Sequence, residues 1–332
     1  MYLKTLSEGS RKCMQRQLTF GGGVSPRNTR LRGQSIIEYV LIIAVIGLVI
    51  VFAGPGVAGA IRNQFNLVGN TVNRGTTGGA ESGGASGGGS TGADSATVQA
   101  AIAKDAKDWT LDEQKAVAED IAAKGEASPA YAKAEAAMKA ETKFSVKLTN
   151  GNTLEYRIIG INHDDLADGT GKAGLTFLTT STGIWSHMNA TDTNAGGWEK
   201  SELRGRLNSG DLWALLPAEL QSKAKAVTKM TDNQGGGSAG TPSATTDRIF
   251  LLSSTEVYGD LDSDGIQYEY YKSKGVTRSN YSGASLNSGS GYWTRSVHPG
   301  GSNYFRYVNS KGDWDFSFSA FGNHCVQPAW CF

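Results

Sequence analysis

Cysteine is scarce, at 3 in 332 residues, and no Cys-x-x-Cys pair occurs. That excludes a small disulfide-framed scaffold and a zinc ribbon or finger. The four histidines, His163, His187, His298 and His324, show no HxxxH spacing, which removes a helix-borne zinc site. A basic excess is also missing: the formal net charge is +1, leaving nothing to neutralise phosphates, so nucleic acid is not an expected partner. No nucleophile and base can be paired. G-x-S-x-G occurs at 84–88, 88–92 and 236–240, in Gly/Ser tracts without the strand–turn–helix setting of a nucleophile elbow. No enzyme is expected. The length suffices for two or three domains with a sizeable core.

Charge is unevenly placed. Residues 1–33 hold seven Lys and Arg against Glu8, a local net of +6, which leaves −5 for the rest. Charge is then absent from Val40 to Ile61 (VLIIAVIGLVIVFAGPGVAGAI), a run long enough to cross a hydrocarbon core as a helix. The basic block before it predicts a cytoplasmic N-terminus with the bulk of the chain outside. Three readings fit: a plain anchor, a signal peptide cut near Ala58-Gly59-Ala60, or a helix built for assembly. Glu38 favours the third, because a carboxylate at the head of an apolar helix is costly unless partnered. Cleavage after Gly33 would create an α-amino group on Gln34, four residues or one helical turn from Glu38. Pro55, between two glycines, would kink this helix.

The stretch Arg32-Gly33-Gln34-Ser35-Ile36-Ile37-Glu38-Tyr39-Val40-Leu41 resembles the Flp-type (tight-adherence) branch of type IV pilins, over about residues 30–73 and including Phe65-Asn66. The resemblance implies cleavage between Gly33 and Gln34 by a membrane prepilin peptidase. It implies residence in the inner membrane before assembly, then extraction by the pilus machinery into a helical homopolymer at the cell surface. Glu38, with Tyr39 opening the helix, would set subunit register by pairing with a neighbour's N-terminal amine. A pilin-like minor subunit of the same system is a variant of this reading. The domain plan is a basic leader (1–33), a hydrophobic pilin-type helix (34–74), a Gly/Ser linker (75–94), a helical spacer (95–143) and an α+β head (144–332). The linker has nine glycines in twenty residues and a root-mean-square reach on the order of 25 Å.

In the spacer, Thr110-x-x-Glu113 is a capping box with Gly125 as a stop. Ser128-Pro129 reads as the start of a second helix through about Thr142. Its thin apolar stripe predicts packing on the following domain. From Phe144 the texture changes to short strands and turns. Strands are expected at 145–148 and 154–159 around an Asn150-Gly151 hairpin turn, and at 249–253, 292–296, 304–308 and 325–331. One amphipathic helix is expected over 198–225, interrupted at Asn208-Ser209-Gly210. Many strands with few helices mean α+β. The segment 144–332 resembles a bacterial surface-protein domain family of unassigned function, through Ile159–Phe177, Thr193–Trp198 with Leu203-Arg204 and Leu207-Asn208, Asp247–Ser253 with Glu256–Gly259, Tyr292–Ser296 and Val326–Ala329. Its Trp-x-Arg-Ser and Pro-Ala patterns are similar to modules with C-type-lectin-like folds.

Several patterns invite chemical readings. Gly169–Gly174 fits G-x-G-x-x-G, but Leu175 onward reads as a strand rather than the helix a nucleotide site needs, so a turn is expected. His163-Asp164-Asp165 with Asp168 offers ligands for an ion or a polar molecule, or else turn-capping carboxylates beside a hydrogen-bonded histidine. Asp260-x-Asp262-x-Asp264-Gly265 matches the first half of a calcium loop, with Tyr271 at the twelfth position where Glu is usual and Glu269 nearby. Calcium is the one cofactor suggested. Six of seven tryptophans lie in the head, where such rings either form core or stack on carbohydrate. Once the leader with Cys13 is removed, Cys325 and Cys331 remain as an even pair, which suggests a disulfide outside the cell. A strand between them would span about 20 Å, beyond the roughly 4.4–6.8 Å a bridge allows. Either Pro328 turns the chain or both thiols are buried, and burial is favoured. The function expected is a pilin-type subunit that displays a head for adhesion. The alternative is a signal-anchored or secreted surface protein whose head binds carbohydrate or another extracellular ligand.

Overall fold

Thr110 and Glu113 form the expected capping box: the Thr110 hydroxyl accepts from the Glu113 amide, and the Glu113 carboxylate accepts from the Thr110 amide. These are two of the donors every helix start leaves unpaired. The resulting helix α2 (Leu111–Lys124) ends at Gly125. It follows a short helix not anticipated from the sequence, α1 (Ala96–Ile102), and precedes α3 (Tyr131–Lys139). The computed structural model describes residues 95–332 apart from 182, 263, 287–289 and 315, all within one compact unit. The leader, the pilin-type helix and the linker, with Gly33, Gln34, Glu38, Tyr39 and Pro55, lie outside the described residues. No helix among the described residues is long and apolar enough to cross a membrane.

The architecture is mixed α+β with many short strands. Strands β1 (Phe144–Lys147) and β2 (Thr153–Ile161) pair antiparallel across the Asn150-Gly151 turn. Gly151 there takes a left-handed φ of 86°, which glycine adopts without cost. β3 (Leu175–Ser181) pairs with β2. Further along are β4 (Trp185–Ser186), the hairpin β5 (Val227–Asp232) and β6 (Pro242–Asp247), and β7 (Ile249–Phe250). The last strands are β8 (Tyr292–Val297), β9 (Tyr304–Val308), β10 (Phe316–Ser319), β11 (His324–Cys325) and β12 (Ala329–Cys331). They form one sheet in the order β1-β2-β3-β12-β7, a second in the order β10-β9-β8-β11-β4, and the separate ribbon β5-β6.

Three expectations need correcting. The strand expected over 325–331 is two strands in two different sheets. Pro328, between them, has no N–H to give to a ladder. Val326 donates its amide to Ile184 and Gln327 takes the Thr179 hydroxyl, so the connection stitches the sheets together. The helix expected over 198–225 does break at Asn208-Ser209-Gly210, but each half is divided again, giving four short helices: α4 (Gly197–Lys200), α5 (Glu202–Asn208), α6 (Asp211–Leu215) and α7 (Ala218–Lys223). Ser201 breaks the run by turning extended and capping the Arg204 amide, and Pro217 breaks it again. Similarly, the strand at 249–253 stops at Phe250, since Ser253 caps the helix α8 (Ser254–Tyr258).

Helices α2 and α3 lie on the first sheet and share one apolar core with it. Tyr156 donates its hydroxyl to Gln114 on α2, and Asn162 reaches the Ile121 carbonyl. Burial pushes the Tyr156 phenol up to about 12. The closest approach is at Gly174, just before β3, where an added Cβ would sit 1.8 Å from the Ala118 carbonyl oxygen. Backbone on both sides leaves no flexible group to yield. Gly174→Ala should therefore destabilise the head by on the order of 2 kcal/mol, as overpacking typically does. A urea midpoint equal to wild type would refute this contact.

Candidate functional site

The chemistry-bearing residues of the head separate into a buried charged network and an exposed aromatic face. At the centre of the first is Lys229 on β5. Its ammonium lies 2.6 Å from Asp164 Oδ1, 2.5 Å from Glu256 Oε1 and 3.1 Å from the Tyr268 hydroxyl. Arg295 on β8 forms a two-point pair with Glu256, at 2.5 and 2.9 Å, and donates further to Thr231 Oγ1 and to the Leu251, Met230 and Asp264 carbonyls. Asp164 also takes the Thr176 and Tyr268 hydroxyls. All four charged side chains are at most 3% exposed. Burial alone would raise the Asp164 carboxyl, but the Lys229 ammonium beside it, with His163, holds it well below the usual carboxylate range. Burial likewise opposes the charge on Lys229, and its two carboxylates overcome that and raise it.

Asp164, one of the residues read as an ion or ligand site, is thus committed to a structural ion pair. Its neighbours separate: Asp165 pairs with Lys172, and Asp168 closes its own turn through Thr170. His163 has Nδ1 at 3.1 Å from Glu269 Oε1 and Nε2 at 3.1 Å from the Ile266 carbonyl. Both nitrogens face acceptors, an arrangement only the imidazolium satisfies. The ring also stacks on Tyr268. Burial would lower its pKa; the Glu269 hydrogen bond and the Asp164 charge outweigh that and raise it.

The calcium-type spacing 260–264 is divided among separate partners. Asp260 lies 3.4 Å from Arg278, Asp262 holds Arg306 at 2.6 and 2.8 Å, and buried Asp264 accepts from Ser296. Glu269 is turned to His163. Among the described residues no group of three or more His, Cys, Asp or Glu is placed to share a metal ion. The disulfide is not formed: Cys325 and Cys331 are both buried thiols on strands of different sheets. Burial pushes the Cys331 thiol well up. Gly169–Gly174 is a turn leading into β3.

The exposed face lies on the second sheet. Register pairs Trp293 with Tyr307 and Phe305 with Phe318 on one side, where Trp293 and Phe305 are buried and Phe318 reaches the surface. His324 joins them with ring centroids 4.3 Å from Phe318, 4.8 Å from Tyr307 and 4.8 Å from Trp293. Burial lowers the His324 pKa, so the ring is neutral near pH 7. The turn after β10 carries Phe321, 62% exposed, against the ring of His187. Next to His187, Ser186 stands opposite His324 and accepts from Arg206 Nη1 at 2.6 Å. Arg206 in turn grips Asp211 at both carboxylate oxygens, each at 2.8 Å. Of the head's tryptophans, Trp198, Trp293 and Trp330 are core, while Trp185 at the sheet edge is half exposed.

Sequence reasoning missed Lys229, Glu256 and Arg295 because each finds its partners 27 or more residues away. The readable signals were the Ser253-x-x-Glu256 capping box and the Trp293-x-Arg295-Ser296 pattern. Lys229→Ala should cost about 3–5 kcal/mol, the range for removing one partner of a buried pair. Urea unfolding checks it, and a loss under about 1 kcal/mol would contradict a committed network. His163 makes an opposite demand on pH. With its folded value raised, its contribution is fully present below about pH 6.5 and is lost as pH rises through the folded value. The stability difference between wild type and His163→Gln should therefore shrink from about pH 6 to pH 9. Parallel curves would refute the imidazolium.

A family model described as a domain of unknown function (DUF6273) matches residues 173–332. This part of the chain is similar to that family and contains the aromatic face, Lys229, Glu256 and Arg295. Asp164, β1, β2 and the three helices precede it. No curated protein and no solved structure matches the chain.

Proposed function

We propose that this protein is a pilin-type subunit that polymerises through its N-terminal hydrophobic helix and displays the α+β head for adhesion, with the aromatic face of the second sheet as the adhesive surface. The observation that carries assembly is Gly33-Gln34 four residues ahead of Glu38-Tyr39, at the head of a charge-free run. The geometric support for adhesion is the contrast within the head. Its charged core is closed on itself, whereas Phe318, Phe321 and His187 stand at the surface beside an ordered Arg206–Asp211 pair. Monomeric proteins seldom expose such grouped rings without a use for them. The partners of this reading are copies of the chain, a prepilin peptidase, the pilus assembly machinery, the inner membrane before extraction, and an extracellular ligand.

The mature N-terminus decides the first half. Intact mass and terminal sequencing should find a chain starting at Gln34. A start at Ile61 would instead support the secreted-head alternative, and an intact Met1 a simple anchor. Glu38→Ala should remove the subunit from filaments while the head stays folded. Normal filaments from that variant would sink the register role of Glu38.

A further inference from the structure

We infer that the face formed by Phe318, Phe321, His187, His324 and the Arg206–Asp211 pair binds neutral saccharides. The inference rests on the reading above that this face is the adhesive surface, and it names the ligand class. A pyranose has an apolar side of C–H groups and a rim of hydroxyls, so its site needs an exposed ring next to a donor and an acceptor held at fixed spacing. Phe318 and Phe321, 37% and 62% exposed, supply ring surface, and His324 backs Phe318 at 4.3 Å.

Arg206 supplies the donors. It uses three of its five N–H groups, on Ser186 Oγ and on the two oxygens of Asp211, so the guanidinium is held in place with N–H groups in reserve. Asp211 is 65% exposed, so its carboxylate edge is open to a ligand hydroxyl. A vicinal diol matches this arrangement, with one hydroxyl donating to Asp211 while its neighbour accepts from Arg206. Ser186 ties the pair to the rings, because it stands opposite His324 and next to His187.

Charge selects against other ligands. Arg206 is balanced by Asp211, His187 lies 3.8 Å from Glu202, and burial keeps His324 neutral. The face offers no unbalanced cation for a nucleic acid, an acidic glycan or an anionic membrane. Polar atoms interrupt the rings throughout, whereas a protein-binding surface concentrates its energy in a desolvated apolar centre.

The full chain, purified in the sugar-free detergent lauryldimethylamine oxide, can be tested by affinity electrophoresis in gels containing galactomannan, xyloglucan, dextran or soluble starch. At least one polymer should retard the protein, equally at about 0.05 M and about 0.5 M NaCl, since neutral recognition is not screened. The double variant Phe318→Ala/Phe321→Ala and, separately, Asp211→Asn should each weaken binding by roughly tenfold or more. Their melting temperatures should stay within about 4 °C of wild type, as expected for surface changes. No retardation by any of the four polymers overturns the inference, as does equal retardation of wild type and both variants. Retention that disappears at the higher salt overturns it as well, and so does retention in a parallel gelatin gel with none in the four polysaccharide gels. The two levels fail separately. Filaments of chains starting at Gln34 that bind no polymer would remove the saccharide site alone. A binding chain that starts at Ile61 would remove the pilin reading alone.

Discussion

Four buried charges, Asp164, Lys229, Glu256 and Arg295, hold together parts of the head that share little else. Asp164 belongs to the bend after β2, Lys229 to the β5-β6 ribbon, Glu256 to α8 and Arg295 to β8 of the second sheet. Two positive and two negative groups in direct contact leave no net charge to desolvate alone. That is the condition under which buried ions are tolerated. The same Glu256 carboxylate also caps its own helix by accepting from the Ser253 amide, so one side chain fixes both a local start and a long-range junction. Lys229 is further covered by the Phe250 ring at 4.3 Å. With every charge committed and sealed from water, the network has none of the access that a catalytic group requires. Its strongly shifted groups are the signature of structure here, although such shifts often mark active sites.

A second tier of polar anchors fixes the irregular helices to this frame. Buried Asp247 at the end of β6 accepts from the Trp198 indole, Arg204 Nε and the Thr245 hydroxyl. Asn208 takes the amides of Arg248 and Ile249 and donates to the Ile249 carbonyl. Asn194 joins Gly236 to Gly301 and Tyr304. Short helices such as α4 to α7 cannot persist on their own propensity, and these contacts hold them. They also place α5 and α6 so that Arg206 and Asp211 stand beside the β4-β11 edge. The exposed face is thus positioned by residues that are themselves buried or only partly exposed.

Local signals were legible in the sequence, and remote ones were not. The Thr110 capping box, the Asn150-Gly151 hairpin and the β3 strand after Gly174 each depend on residues within a few positions of one another, and all three are present in the fold. The breaks at Ser201 and Pro217 were also local, yet the apolar spacing across them was read as continuous because spacing alone does not report a cap that turns the chain extended. Pro328 was recognised as a possible turn, but not that it moves the chain from one sheet to the other. The acidic run at 260–264 looked like converging ligands. In the fold its carboxylates face Arg278, Arg306 and Ser296, up to 44 residues away, and no spacing rule anticipates such partners. The aromatic face was the hardest to see, since its rings come from β8, β9, β10, β11, the residue after β4 and the turn before β11, brought together only in the fold.

Charge closure inside and aromatic exposure outside are two consequences of one arrangement. Arg295 and Lys229 consume the carboxylates nearest the core, and Arg306 takes Asp262, which leaves the second sheet to be finished by rings rather than ions. At the centre of that surface, burial lowers the His324 pKa, which favours the uncharged ring near neutral pH. The register of the second sheet fixes the spacing of its rings, so the exposed face keeps one internal geometry.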